Sequence, residues 1–168
     1  MSGIKNSFWA CVAAVCFALA DAMELIWTES FDVFDILKYV LLCAFAFTAF
    51  FGTGKLSMCV VSGALVAELI VSACFERLGD WGWFHLLSGC VMTLLLLAFL
   101  IPQGKPFMPY VQKVWAVPAA ILLLGIMLIY TRLPSLFTAF IGSVFLGPLF
   151  LALAYFFVGY WLKNEVQE

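Results

Sequence analysis

Five apolar stretches of about 20 residues each restrict the possible folds of this chain more than any other feature. They lie near residues 7–27, 35–52, 56–75, 81–101 and 111–130, and short connectors that carry charged residues, glycine or proline separate them. An α-helix of about 20 residues crosses the hydrocarbon core of a bilayer, which is about 30 Å thick. The pattern predicts an all-α fold, a polytopic bundle of transmembrane helices.

The sixth apolar stretch, 133–162, is longer than the others and is interrupted near its middle by Gly147-Pro148. As one helix it would be about 45 Å long, which exceeds the bilayer core. We expect a break at Gly147-Pro148, either a kink in one tilted helix or a division into two half-helices. A kink is favoured because Pro148 lacks a backbone donor. The chain is then a single transmembrane domain, 1–168, of about six helices.

The composition decides which solvent surrounds this bundle. Hydrophobic residues make up 66% of the chain and charged residues 11%, and the mean hydropathy is +1.14. A chain of 168 residues cannot enclose so much apolar surface in a water-soluble core, so we expect most of it to contact lipid. The net charge of -2 gives no reason to expect a nucleic-acid partner.

The first stretch has no A-x-A cleavage pattern and is too long for the core of a signal peptide, so we expect a retained helix. The six cysteines form neither a CxxC motif nor a Cys/His cluster, and we expect no metal and no cofactor. A bacterial inner membrane fits these features best.

Lysine and arginine positions predict the orientation of the bundle, because cytoplasmic loops are enriched in these residues. A cytoplasmic amino terminus puts more of them inside than outside. The inner set is Lys5, Lys55, Lys105, Lys113 and Lys163, and the outer set is Arg77, Arg132 and Lys38 near the outer end of the second helix.

Carboxylates inside the apolar stretches are the candidates for a functional site. The segment ALADAMELIW places Asp21 and Glu24 three residues apart, on one face of the first helix. Glu68 lies near the middle of the third. A charged residue at a helix centre costs about 2.5–3.5 kcal/mol on insertion, so these acids are expected to face the bundle interior. Lys38 and His85 fall in the same outer half of the membrane.

This grouping predicts an intramembrane carboxylate pocket suited to acid–base chemistry. Asp21 and Glu68 are the candidate catalytic acid and base, and Glu24, Lys38 and His85 are the candidate substrate-binding residues. A simpler interpretation remains open for some of them. Glu24 and Lys38 lie near enough to the interface to reach water along the membrane surface, and His85 could belong to an aromatic belt there.

Three stretches carry a resemblance to a known family: FDILKYVLLCAFAF, VVSGALVAELIVSACF and AAILLLGIMLIYTRL followed by PSLFTAFIG. They are similar to helices of the lysoplasmalogenase family, multi-helix membrane hydrolases that act on the vinyl-ether bond of lysoplasmalogens. Lys38 matches the lysine that opens the family's second helix. Glu68 lies about one turn before the position of the family's Gly-Asp pair, and the chain is shorter by one or two helices.

Three functions follow from these features. The resemblance implies a hydrolase of a single-chain ether lipid, in which Asp21 and Glu68 activate water while Lys38 or His85 orients the headgroup. Acids within membrane spans also mark proton-coupled transporters and oligomeric channels. A non-catalytic partner subunit is the third possibility. Ala139, Ser143 and Gly147 recur at every fourth position and predict close helix packing, within the bundle or in a homo-oligomer.

Overall fold

A computed structural model describes residues 7–28, 33–51, 55–75, 80–100, 106–132 and 146–167. Nearly all of this part is α-helix, and none of the residues it describes lies in a β-strand. The helices are α1 (Ser7–Thr28), α2 (Val33–Phe51), α3 (Lys55–Phe75), α4 (Asp80–Leu100), α5 (Met108–Val114), α6 (Val117–Arg132) and α7 (Leu146–Gln167). The all-α prediction is therefore confirmed.

The fifth apolar stretch differs from its predicted form. In place of one helix over 111–130, the short α5 and the longer α6 are joined by a turn at Trp115 and Ala116. Pro118 has no N–H to bond the carbonyl of Val114, so the helical hydrogen bonding is interrupted there. The ladder resumes with the bond from the Ala120 N–H to the Ala116 carbonyl, at 3.0 Å.

The last stretch is described from Leu146 onward, as helix α7. The predicted break at Gly147-Pro148 adjoins the residues before this point, so it stays a prediction. The helix continues to Gln167, beyond the predicted end at residue 162. Residues 133–145 lie outside the described part of the chain.

The helices pack in a ring. Helix α1 contacts α2 and α7, α3 joins α2 to α4, and α6 joins α4 to α7, while α4 also contacts α7 across the ring. Helices α1 and α7 are antiparallel: Trp9 stacks on Phe157 near one end, whereas Gly147 lies against Ala20 near the other. The ring encloses the interior in which the polar residues lie.

Gly147 is the one member of the predicted small-residue stripe that the structure describes. A side chain at Gly147 would meet Ala20 and Met23 of α1 in the same chain. Its contact therefore serves packing within the bundle. Ala139 and Ser143 lie outside the described residues, and homo-oligomerisation through the stripe stays a prediction.

Both the interior and much of the outer surface of this bundle are apolar. The outer face of α2 exposes Val33, Ile36, Val40, Phe47 and Phe51, and α1, α4, α6 and α7 expose similar residues. Among the described residues, the buried polar side chains are Asp21, Lys38, Ser62 and Ser88. Two segments, Met108–Leu128 and Leu146–Glu165, are long and apolar enough to cross a membrane.

An aromatic cluster closes the end of the bundle opposite the amino terminus of α7. The Trp115 ring contacts Phe156 and Tyr160, with centroids 4.9 Å and 5.5 Å away. The ammonium of Lys163 lies 5.2 Å from the Trp115 ring, a cation–π geometry. Gly159 makes this packing possible, because a β-carbon there would overlap the backbone carbonyl oxygen of Trp115.

We expect Gly159→Ala to lower the stability of the bundle by about 1–3 kcal/mol, because the backbone of Trp115 must move to admit the methyl group. Thermal unfolding of the purified protein in detergent measures this change. Gly63→Ala is the matched control: Gly63 is also inside a helix, but its added β-carbon meets nothing within 4 Å. That variant should unfold at the same temperature or higher, since alanine favours helix by about 1 kcal/mol. Equal effects of the two substitutions would contradict the close contact.

Candidate functional site

A buried ion pair joins α1 to α2. The Lys38 ammonium donates a hydrogen bond to Asp21 Oδ1 at 2.6 Å, and the two residues are 6% and 4% exposed. Because α1 and α2 are antiparallel neighbours, Asp21 near the end of one faces Lys38 near the start of the other. Two charges can remain in such an interior only when each neutralises the other.

His85 of α4 and Tyr155 of α7 extend this cluster. Their rings meet edge to face with centroids 5.9 Å apart. Tyr155 is fully buried and also contacts Phe17, at 5.8 Å, one helical turn before Asp21. Helices α1, α4 and α7 therefore meet around the Tyr155 ring.

Electrostatics connects His85 to the ion pair as well. The Lys38 ammonium is near enough that its charge acts on the His85 imidazole. The imidazole and the ion pair therefore belong to one electrostatic environment.

Two buried polar atoms of the cluster are not satisfied by the described part of the chain. Asp21 Oδ2 and His85 Nε2 are both enclosed and make no hydrogen bond with it. Buried polar atoms in proteins nearly always have a partner, because leaving one without a hydrogen bond costs about 1–3 kcal/mol. At these two atoms the cluster has hydrogen-bonding capacity that the described part of the chain does not use.

The structure brings together three of the five candidate residues predicted from the sequence: Asp21, Lys38 and His85. The interpretation of Lys38 as a surface residue that reaches water is wrong, because its side chain is buried and bonded to Asp21. Glu24 and Glu68 lie in α1 and α3, but their side chains are outside the described residues. The catalytic role of Glu68 and the binding role of Glu24 stay predictions.

Tyr155 is the member of the cluster that the sequence did not indicate. It lies in LALAYFFVGYW, where several aromatic residues follow one another. No motif or spacing separates it from its neighbours. Its position became evident only from the contacts of its ring with Phe17 and His85.

Comparison with known proteins gives no match to a family model, to a curated protein or to a solved structure. The resemblance to lysoplasmalogenases therefore stays a prediction from sequence. Within the part of the chain that the structure describes, no three His, Cys, Asp or Glu side chains come together as a metal site. The buried ion pair with its neighbouring imidazole is the candidate site.

We expect Lys38→Met to lower the free energy of unfolding by about 3–5 kcal/mol, because it leaves the buried Asp21 carboxylate without a compensating charge. Asp21→Asn should be destabilising for the corresponding reason. The double variant, with both charges removed, should be more stable than the sum of the single effects predicts. Chemical unfolding of all four proteins in the same detergent gives the coupling energy. Additive effects would contradict a direct interaction between these two residues.

Proposed function

We propose that the chain is a polytopic membrane protein with six crossings and a cytoplasmic amino terminus, in a bacterial inner membrane. The apolar outer faces of the helices support this proposal, since lipid is the solvent in which such surfaces are stable. The aromatic cluster with Lys163 suits an interface, where tryptophan, tyrosine and lysine are common. Under the predicted orientation, that end of the bundle is cytoplasmic and the ion pair lies in the outer half.

Within this bundle, we propose an intramembrane hydrolase that cleaves the vinyl-ether bond of a single-chain lipid. One observation carries the proposal: the Asp21 carboxylate is fixed by Lys38 through one oxygen, while its other oxygen is buried without a partner among the described residues. That is the arrangement of a carboxylate that is oriented through one oxygen and can accept a proton through the other.

The reaction assigns a role to each acid. A general acid donates a proton to the vinyl carbon farther from the ether oxygen, and an oxocarbenium ion forms. Water then adds to the carbon bonded to oxygen while a base removes its proton, and the resulting hemiacetal separates into an aldehyde and the glycerol alcohol. Asp21 is held by Lys38 through Oδ1, and its Oδ2 has no partner among the described residues, so we assign it the role of base. Glu68 is then the proposed acid.

Purified protein in detergent should release a long-chain aldehyde from lysoplasmalogen. Asp21→Asn should lower this rate at least 100-fold, because general acid–base groups contribute about 10²–10⁴-fold. Glu68→Gln should lower it comparably, whereas Glu24→Gln should have a smaller effect. A coupled assay for the aldehyde measures all three. Thr93→Val is the matched control and should leave the rate unchanged, since the Thr93 hydroxyl bonds the Gly89 carbonyl of its own helix. Absence of aldehyde from the folded wild-type protein would overturn the proposed reaction.

Proton-coupled transport is the second candidate. The observation that favours it is an ion pair and an imidazole enclosed together by several helices, which are the components of a proton relay. An internal repeat, common among transporters, is absent from the sequence.

Liposomes that contain the protein and a pH-sensitive dye distinguish the two functions. We expect no proton flux above that of protein-free liposomes, because hydrolysis needs no continuous path across the bundle. Valinomycin and a potassium gradient supply the driving force. Flux that is lost in Asp21→Asn and retained in Thr93→Val would favour transport over hydrolysis.

A further inference from the structure

We infer that Lys163, Trp115 and Tyr160 together bind the phosphate group of an anionic phospholipid at the aromatic end of the bundle. The inference rests on the proposed insertion into a membrane and is independent of the hydrolase, whose ion pair lies toward the other end. It assigns a ligand to a cluster of side chains that the proposed reaction does not use.

Three side chains from two parts of the chain meet at this end. The Lys163 ammonium lies 5.2 Å from the centroid of the Trp115 ring and 6.0 Å from that of the Tyr160 ring. The two ring centroids are 5.5 Å apart. The Tyr160 ring also contacts Trp9 of α1, at 5.1 Å. Helices α1 and α7 and the turn before α6 therefore place the rings beside the ammonium.

Backbone contact fixes the position of Trp115 on α7. A β-carbon at Gly159 would overlap the Trp115 carbonyl oxygen, so the turn and the helix touch there. Phe156, whose ring centroid is 4.9 Å from that of Trp115, comes three residues before Gly159, and Lys163 comes four residues after it. Residues at these spacings share one face of a helix. The same face of α7 thus fixes the tryptophan and presents the ammonium to it.

The cluster has hydrogen-bond donors and no negative charge of its own. None of the described residues forms an ion pair with Lys163. Glu165 is two positions further along α7, a spacing that does not put two side chains on one helix face. The Trp115 indole N–H and the Tyr160 hydroxyl make no hydrogen bond with the described part of the chain. Phosphate oxygens are strong acceptors for an ammonium and for such neutral donors.

The position of Lys163 along its helix indicates that the phosphate belongs to a lipid. Lys163 lies two residues before the end of the apolar segment Leu146–Glu165, which is long enough to cross a membrane. Its ammonium therefore falls at the level of the headgroups, where tryptophan and tyrosine are also enriched. Basic side chains at the membrane surface beside helices bind anionic headgroups.

The cation–π contacts favour an anionic lipid over a zwitterionic one. The quaternary ammonium of a choline headgroup binds to aromatic rings, but the Lys163 ammonium already lies against Trp115 and Tyr160 and would repel a second cation. Phosphatidylglycerol has a phosphate and no cation. We therefore expect the cluster to prefer phosphatidylglycerol to phosphatidylcholine with the same chains.

Native mass spectrometry of the purified protein in detergent tests this preference, because it measures the binding of single lipid molecules without a charged membrane surface. We expect phosphatidylglycerol to bind wild-type protein about fivefold more tightly than phosphatidylcholine, the effect of about one basic residue. Lys163→Gln should reduce this ratio to about one. Lys113→Gln is the matched control and should preserve the ratio, since Lys113 is an exposed lysine near the same end, in the last turn of α5.

Equal binding of the two lipids by the wild-type protein would overturn the anionic-lipid site. A preference that persists in Lys163→Gln would also overturn it, as would a preference that both lysine variants lose equally, because net charge would then explain the binding. Displacement of phosphatidylglycerol by excess inorganic phosphate would mean that the site binds any phosphate, and would overturn the assignment to a lipid.

The experiment separates this site from the proposed function. Aldehyde release is not involved in any of these measurements, so failure of the hydrolase and failure of the lipid site are observed independently. A preference for phosphatidylglycerol that is lost only in Lys163→Gln would support the site even if lysoplasmalogen is not cleaved. A protein that remains in solution without detergent would overturn the proposed insertion into a membrane and, with it, this site.

Discussion

The buried ion pair between Asp21 and Lys38 is the interaction on which the arrangement of this bundle depends. Removing two charges from water costs several kcal/mol for each ion, and only direct pairing offsets that cost. The pair therefore restricts α1 and α2 to positions in which the carboxylate and the ammonium meet. Helix α7 packs on α1 and carries Tyr155, so the position of the tyrosine ring follows from the same constraint.

The two ends of the bundle have different physical character. At one end, Trp9, Trp115 and Tyr160 pack their rings together, and the absence of a side chain at Gly159 allows the backbone of Trp115 to approach closely. The charge of Lys163 lies over these rings. At the other end, charged and polar side chains point inward. The helices are rigid over their length. The aromatic end can therefore be tightly packed while the opposite end keeps polar side chains in its interior.

A buried polar atom without a hydrogen-bond partner lowers the stability of the fold, so its presence in this bundle indicates a functional role. Ser88 and Thr93, on α4, satisfy their hydroxyl groups through carbonyls of their own helix. Asp21 Oδ2 and His85 Nε2 have no such local solution within the described residues. A bundle that needed only structure would place apolar residues at these positions, since a well-packed apolar core is as stable or more stable than a buried ion pair. The contrast between the two sets of side chains separates the site from its scaffold.

Much of the fold could be predicted from the sequence, because the length of each apolar stretch and the charged, glycine or proline residues that end it are local properties of the chain. The first four helices begin and end within two residues of their predicted bounds. Burial of Asp21 was also predictable, since a charge facing lipid has a large cost. The turn before α6 could not be located, because Pro118 also fits an unbroken helix that has a kink.

Which side chains meet was decided only by tertiary structure. By itself, the sequence determined that the chain is helical, that its surface is apolar, and that Asp21, Lys38 and His85 lie at similar depth. Depth follows from counting residues along a helix, but the partner of each residue depends on how the helices rotate and which ones are neighbours. Packing selected Lys38 as the partner of Asp21, and it brought Tyr155, which lies 70 residues further along the chain, into contact with His85. Contacts between helices are set by the fit of whole surfaces, and no local pattern in the chain encodes that fit.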